Sequence, residues 1–336
     1  MLCRPRKAFA SLLPRGRFRD QRLARALGVF TLTLGTDALG ASMDFALERL
    51  VTPETASCQD PGATGNGAFC APDQVAFKKL MHQYGMAIAP NGAYPAKTTG
   101  YAGFEILAEL TITGIDSSSD AIQRGTRGSP DAATGRDAAE NVHPASALPL
   151  YALRLRKGFG FGLELGGTLG LLGDTSLITG GADLRFAALE GFREGVLGYF
   201  PDVAVTGSVR TVTGASQVQL TVAGAEATFS KPFSIAKTGE LTPWLGYQYL
   251  WTFGSSGVVD LTPEKSALGS NDFYNNRFFD AVSLQRHRLN LGVSYKYEIL
   301  VVGAQLGLDL GSPDGDADLA GEMKQWALTL QAGATF

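Results

Sequence analysis

The sequence predicts an all-β fold, an antiparallel transmembrane β-barrel of about 10 strands, with 10 to 14 possible. Three observations lead to this prediction: apolar and polar residues alternate at period two, glycine is abundant, and short connections alternate with long ones. Glycine provides 42 of the 336 residues, while 18% of residues are charged and 45% are hydrophobic. These proportions argue against a disordered or collagen-like chain. Beyond residue 40, no run of 18 apolar residues could cross a bilayer as a helix.

Strict alternation organises the chain from about residue 101 onward. The clearest segment is FGFGLELGGTLGL, in which every second residue is large and apolar. Only a β-strand puts alternate residues on opposite faces. In another segment, Val218, Leu220 and Val222 are assigned to the apolar face, and a bulge is expected after them. The ten predicted strands lie near residues 101–113, 150–157, 159–171, 178–188, 203–212, 217–229, 243–253, 287–298, 300–310 and 325–336.

Alternation alone also fits a soluble sandwich or a lipocalin-like barrel. Two features favour a membrane barrel instead. One face of the strands carries small and charged residues, as in a hydrated lumen, whereas the apolar face is flanked by Tyr, Trp and Phe. The connections at 157–158 and 298–299 are tight, whereas those at 114–147, 254–283 and 311–323 are long. If both termini are periplasmic, ten strands place the first long loop outside the cell.

The first forty residues have the features of an export signal. Eight basic residues precede the apolar run from Ala26 to Gly35, and small residues follow at Ala38, Gly40 and Ala41. This order defines a secretory signal peptide, so residues 1–40 are predicted to be removed. A short membrane anchor is the alternative, although the apolar run is too short to span. The remaining chain is net acidic, which gives it no electrostatic reason to bind nucleic acid.

Two cysteines remain after the signal peptide. Cys58 and Cys70 flank a segment rich in Gly, Pro and Asn. In an oxidising compartment, such a close pair is expected to form a disulfide. A metal site is the alternative, but no histidine accompanies the pair in a zinc-binding spacing. Residues 41–98 are therefore predicted to form an N-terminal periplasmic or plug segment with a disulfide loop, ahead of a barrel at 99–336.

The C-terminal strand WALTLQAGATF alternates back from a terminal aromatic residue, Phe336. It resembles the last strand of bacterial integral outer-membrane β-barrel proteins. The resemblance covers residues 99–336, is at the level of the class, and singles out no member. It implies location in the outer membrane of a Gram-negative cell, with membrane lipid and lipopolysaccharide as partners. It also implies that Trp326 and Phe336 belong to the signal read by the barrel assembly machinery. In fatty-acid channels of this class, a comparable N-terminal segment plugs the lumen.

The charged residues on the inward face are the candidate lumen lining. One interpretation is that they pair with one another and fill a narrow lumen, and the other is a constricted polar channel that selects small solutes. The sequence accordingly predicts a narrow channel or transporter for small solutes, with a non-conducting structural or surface-interaction barrel as the alternative. The candidates are Glu105, Glu109, Arg154, Arg156, Glu164, Asp183, Arg185, Arg210, Arg288, Lys296 and Asp309.

Catalytic and metal-binding patterns are weak. His82, His143 and His287 are far apart, and pairing Ser283 with His287 would imitate an outer-membrane lipid-modifying enzyme without a nucleophile motif. No enzymatic activity and no cofactor are therefore expected. His287 is interpreted as an interfacial residue whose neighbours, Arg286 and Arg288, meet lipopolysaccharide phosphates.

The acidic segment SPDGDADLAGE resembles the start of a calcium-binding EF-hand loop. Leu319 stands where that loop needs glycine, and Gln325 stands where it needs a bidentate glutamate. A solvated turn is therefore expected, and no metal site is predicted.

Overall fold

The computed structural model describes residues 41–60, 69–130, 140–191, 199–235, 239–265, 271–312 and 316–336. The predicted signal peptide lies outside the described residues. Among the described residues, no helix is both long and apolar enough to cross a membrane.

Strands dominate the described part of the chain. Their bounds are β1 (Phe104–Gly114), β2 (Ala147–Gly158), β3 (Leu163–Leu172), β4 (Ile178–Leu189), β5 (Asp202–Thr213), β6 (Val218–Ser230), β7 (Phe233–Ile235), β8 (Gly239–Ser256), β9 (Val259–Asp260), β10 (Asn276–Arg277), β11 (Val282–Tyr297), β12 (Leu300–Gly311) and β13 (Trp326–Thr335).

Ten of these strands form a closed antiparallel sheet. They pair in the order β1-β2-β3-β4-β5-β6-β8-β11-β12-β13, and β13 pairs back with β1. Closure continues past β13, because Phe336 and Phe104 exchange backbone hydrogen bonds of 2.7 and 3.0 Å. The short strand β7 extends the sheet beside β8, and β9 pairs with β10 in a separate hairpin. The prediction of a ten-stranded antiparallel barrel is confirmed.

The two ends of the barrel differ. At one end, named the turn end, lie the C-terminus and the tight connections after β2 and β11. At the other end, named the loop end, lie the connections 115–146, 257–281 and 312–325. Strands β1 and β13 contain 11 and 10 residues, the length of a tilted membrane-spanning strand.

The outward face of the barrel is apolar and has aromatic residues near both ends. At the turn end, Tyr101, Phe161 and Phe336 are highly exposed, with Phe161 at 95%. Phe161 also adopts a positive φ of 63°, a conformation that bulky residues rarely take, so its ring is held outward at the cost of backbone strain. Trp251 and Trp326 lie nearer the loop end. An apolar band between two aromatic girdles is the surface of a membrane barrel.

Residues 41–60 and 69–87 form a compact unit, here named the cap, at the loop end. The cap contains helix α1 (Gln74–Ala87), which begins where the Asp73 side chain accepts a hydrogen bond of 2.9 Å from the Ala76 amide. The predicted disulfide between Cys58 and Cys70 is confirmed. A short helix from the first long loop, α2 (Asp120–Gly125), packs against α1.

The cap and the loop-end half of the barrel share one hydrophobic core. Apolar residues of α1 recur at helical spacing, at Phe77, Leu80, Met81 and Tyr84, and all are buried. They belong to the same buried cluster as inward-facing residues of five strands. Those strand residues are Leu148, Leu150, Leu172, Val212, Val218, Leu220, Val222 and Leu250.

Two predictions about β6 are wrong. Val218, Leu220 and Val222 face inward rather than outward, because the cap gives them an apolar interior to pack against. The bulge expected after Val222 is absent, since β6 keeps an unbroken register with both β5 and β8.

The first residues of the described chain lie at the loop end of the barrel. The Met43 amide donates to the Asp174 carbonyl at 2.9 Å, and Asp44 accepts from the Ser176 amide at 2.6 Å. Residues 173–177 connect β3 to β4 at the loop end. The described chain therefore begins at the loop end, while Phe336 lies at the turn end.

Candidate functional site

A single extended segment, residues 88–99, runs from the cap through the barrel to the start of β1. This segment, here named the thread, has no strand partner, so its backbone carbonyls need other donors. Inward-facing side chains supply them. Arg210 donates to Ala89 O at 3.2 Å, Gln248 and Arg288 donate to Pro90 O at 3.1 and 2.6 Å, Arg154 donates to Asn91 O at 2.9 Å, and Gln331 and Arg185 donate to Ala93 O and Pro95 O.

Side chains of the thread also bond to the barrel wall. The Asn91 amide donates to Thr111 and Thr329 at 2.7 and 3.2 Å. Near the turn end, the Thr98 amide donates to Glu190 at 2.9 Å and the Thr99 amide donates to Glu164 at 2.8 Å. The thread is thus fixed along its length to strands on all sides of the lumen.

Tyr94 is the aromatic residue of the thread, and it is fully enclosed by the barrel. Its hydroxyl donates to Asp183 at 2.8 Å. The guanidinium groups of Arg156 and Arg185 lie 3.8 and 3.9 Å from its ring centre, within cation–π range. Because Tyr94 is only 1% exposed, these interactions occur out of water, where they are strongest.

Buried ion pairs connect the inward charges to one another. Arg154 bonds Glu109 and Asp183, each at 2.6 Å. Arg156 bonds Glu105 at 3.1 Å and also Glu164. Arg286 bonds Asp309 near the loop end. Removing one partner of such a pair leaves a buried charge uncompensated, which costs about 3–5 kcal/mol.

The structure places ten of the eleven candidate lumen residues in buried positions inside the barrel. These are Glu105, Glu109, Arg154, Arg156, Glu164, Asp183, Arg185, Arg210, Arg288 and Asp309. The eleventh, Lys296, is exposed at the turn end. Sequence reasoning missed Glu226, which accepts a bond of 3.1 Å from Asn290, although unbroken alternation along β6 would have placed it inward.

Little free space remains around the thread. A cavity of about 10 Å³ lies beside Asn91 and Arg210, which is room for about one water molecule. A larger cavity of about 190 Å³, here named the vestibule, lies at the turn end and is bounded by Tyr94 and Pro95. Among the described residues, the thread and its partners therefore close the lumen between the vestibule and the cap.

The three histidines remain apart. His82 is buried in the cap, and His287 lies on the outward face, where its Nδ1 bonds the Tyr247 hydroxyl rather than Ser283. Arg286 and Arg288 point inward and are 1% exposed, so their interpretation as ligands of lipopolysaccharide phosphates is wrong. The reason is the strand period: both neighbours of an outward residue must face inward.

The acidic segment after β12 contacts the cap. Lys78 bonds Asp316 and Asp318 at 2.6 and 2.8 Å. Asp314 lies outside the described residues. Among the residues that the structure describes, no cluster of three or more His, Cys, Asp or Glu side chains is arranged to hold a metal ion.

A closed antiparallel sheet with an apolar outer face and a charged interior defines the class of integral outer-membrane β-barrels. No protein-family model matches the chain, and no curated protein matches it significantly. Among solved structures, similarity is found to the N-terminal β-barrel domain of OprF from Pseudomonas aeruginosa, at 12% identity and TM-score 0.26, covering 70% of this chain and 99% of that one. The translocator domain of the autotransporter NalP from Neisseria meningitidis is 13% identical with TM-score 0.31, over 70% of this chain and 88% of that one. At these scores, neither similarity bears on function.

Proposed function

We propose that this protein is a non-conducting barrel of the bacterial outer membrane that holds its N-terminal cap at the cell surface. The observation that carries the proposal is the thread, which fills the lumen and ties the cap to the barrel. The sequence offered two functions, a narrow channel and a non-conducting structural or surface-interaction barrel. The proposal adopts the second.

Membrane location is supported by the apolar outward face of the barrel and by closure of its sheet. Closure of the sheet leaves no backbone edge in lipid, where each unsatisfied polar group would cost several kcal/mol. In outer-membrane barrels the short turns face the periplasm and the long loops face outward. The loop end, with the cap, then faces the exterior, and no enzymatic step is part of this proposal.

A closed state is supported by the two kinds of packing inside the barrel. The loop-end half holds the hydrophobic core shared with the cap, and toward the turn end the ion pairs of Arg154 and Arg156 surround the thread. Withdrawing the thread would break contacts in both halves together. The resting barrel is therefore closed.

Conductance in planar bilayers tests the closed state. The purified intact protein should give no steady single-channel current, while an open porin in the same bilayer serves as the positive control. Steady current through the intact protein would refute the closed barrel and favour the channel that the sequence first indicated. That second candidate has one supporting observation, the polar lining that a departing thread would leave behind.

Labelling of whole cells tests the orientation. Val75→Cys introduces a thiol on the exposed side of α1, and Tyr199→Cys introduces one at the turn end, where the native side chain is 88% exposed. A membrane-impermeant maleimide should label Val75→Cys on intact cells and Tyr199→Cys only after the outer membrane is permeabilised. The reverse pattern would place the cap in the periplasm.

A further inference from the structure

The cap begins with a turn, residues 41–44, that is closed by a buried carboxylate. Asp44 Oδ2 accepts a hydrogen bond of 3.0 Å from the Ala41 amide, and the Asp44 amide donates to Ala41 O at 2.9 Å. The other carboxylate oxygen, Oδ1, accepts from the Ser176 amide at 2.6 Å and from Ser176 Oγ at 3.0 Å. Asp44 is only 8% exposed, so these bonds are largely shielded from water.

The donors to the Asp44 carboxylate carry no charge in the uncleaved chain. They are two backbone amides and one hydroxyl group. Arg127 lines the same cavity as Asp44, but within the described part of the chain no basic side chain forms a salt bridge with Asp44. Buried charges are normally paired, because transfer of a lone charge out of water is costly. Asp44 therefore lacks the counter-charge that its burial calls for.

The backbone around Asp44 is fixed by three other parts of the protein. The Met43 amide donates to Asp174 O in the connection between β3 and β4, at 2.9 Å. The Tyr84 hydroxyl of α1 donates to Met43 O at 2.5 Å. The Arg127 amide of the first long loop donates to Asp44 O at 2.9 Å. Asp44 is thus held in place by contacts other than its bond to Ala41.

Ala41 is also the residue that follows the predicted signal-peptide cleavage site. The small residues Ala38 and Gly40 fit the pattern that signal peptidases recognise. Hydrolysis of the Gly40–Ala41 peptide bond consumes one water molecule and leaves a carboxylate on Gly40 and an α-ammonium group on Ala41. The new positive charge arises on the nitrogen that lies 3.0 Å from Asp44 Oδ2.

We propose that removal of the signal peptide completes the cap by forming an ion pair between the α-ammonium group of Ala41 and the Asp44 carboxylate. A hydrogen bond from a neutral amide is replaced by one between two charged groups, which is roughly twice as strong. The cap is therefore less stable in the uncleaved chain than in the processed one. This inference goes beyond the proposed function, because it rests on the predicted cleavage and not on which way the cap faces.

Two refolded proteins that differ by one residue test the ion pair. One begins at Ala41, and the other retains Gly40, so that its α-ammonium group lies one residue farther from Asp44. Protease cleavage within the cap, which follows the population of the opened state, should be about tenfold faster in the protein that retains Gly40. Equal rates would overturn the proposal.

Asp44→Asn in both proteins separates the ion pair from the effect of the added residue. The variant keeps an acceptor for Ser176 but removes the negative charge. In the protein that begins at Ala41 it should speed cleavage of the cap by about tenfold, and in the protein that retains Gly40 by clearly less. An equal effect in both would contradict the ion pair. Asp60→Asn, at an exposed carboxylate of the cap, is the control and should change neither rate.

Reactivity of the α-amine gives a second readout that needs no side-chain variant. A neighbouring carboxylate favours the charged form of an amine, which does not react with acylating reagents. The α-amine of the protein that begins at Ala41 should therefore be acylated more slowly than that of the protein that retains Gly40. Equal acylation rates would again overturn the proposal.

The N-terminal peptide of the protein isolated from the cell envelope tests the cleavage itself. Mass spectrometry should find that the processed chain begins at Ala41, and any other first residue would overturn the proposal. Neither conductance nor labelling of whole cells enters these measurements. A failure here is therefore distinguishable from a failure of the proposed function.

Discussion

At the scale of single residues, Tyr94 joins the thread to strands β2 and β4 by packing between their arginines and bonding Asp183. Tyr94→Ala removes a buried aromatic ring and should lower the free energy of unfolding by about 3–5 kcal/mol. Tyr94→Phe keeps the ring but leaves Asp183 with one donor fewer, so it should cost about 1–3 kcal/mol. Urea titration of the heat-modifiable form measures both. Equal losses in the two variants would show that ring packing contributes nothing.

His82 makes the stability of the cap depend on pH. Burial and the neighbouring Arg286 charge lower the pKa of His82 to about 2 from its ordinary 6.5. The unfolded chain takes up a proton below pH 6.5 while the folded protein does not, so stability falls as the pH decreases from 6.5 toward 2. The loss approaches about 1.4 kcal/mol per pH unit.

Comparison with His82→Phe isolates this effect. The variant should show a shallower loss of thermal stability between pH 6.5 and pH 5, where most carboxylates remain ionised. The measurement is the thermal unfolding of the cap at each pH, monitored through its cleavage by a protease. Parallel pH profiles for the two proteins would exclude His82 as the source.

At the scale of secondary-structure elements, β13 contributes both to the lipid face and to closure of the sheet. Leu330 lies at the middle of β13 on the outward face and is 45% exposed. Leu330→Arg should destabilise the barrel by about 2–4 kcal/mol if this face meets hydrocarbon. Ile299→Arg, in the turn between β11 and β12, should cost about 0–1 kcal/mol because it lies near the interface. Urea titration of the two variants in lipid vesicles compares their free energies of unfolding. Equal losses of stability would contradict a lipid-facing surface.

Phe336 closes the seam between β13 and β1 through its backbone bonds to Phe104. Deletion of Phe336 removes both bonds and its exposed terminal ring, so the membrane-inserted, heat-modifiable form should decrease in cells. Deletion of Leu319, in a short turn outside the sheet, is the control and should have little effect. Normal insertion of the chain without Phe336 would argue against its role as part of the assembly signal.

The strands were predictable because alternation is a local signal, and each of the ten strands carries its own. A periplasmic or plug segment was expected at residues 41–98, but the extended course of the thread was not, since the segment around Pro90, Asn91 and Pro95 has the composition of a loop. Its extended course is fixed by donors on strands far away in the sequence, such as Gln331. The inward charges were predictable as a face, but their partners in the thread were not.

At the scale of the whole molecule, we expect the cap to open to proteases more readily than the closed barrel. The Cys58–Cys70 disulfide closes a short loop within the cap and should contribute about 3 kcal/mol to its stability. Replacing both cysteines with serine should therefore speed protease cleavage in the cap while the barrel keeps its heat-modifiable mobility. The native protein under reducing conditions is the matched comparison. Loss of the folded barrel in the double variant would show that the two parts unfold together.

The passage of the thread through a closed sheet sets an order of events during assembly. The lumen is filled by one extended segment, so the folded cap cannot be drawn through it. Pairing of the first and last strands therefore has to enclose the thread, or the cap has to fold after its chain has crossed. Once the seam is closed, the thread is held in the barrel by the folded cap at the loop end and by its covalent link to β1 at the turn end. A single backbone cut near Gly100 would remove the link to β1. The thread and cap could then leave the barrel only toward the loop end.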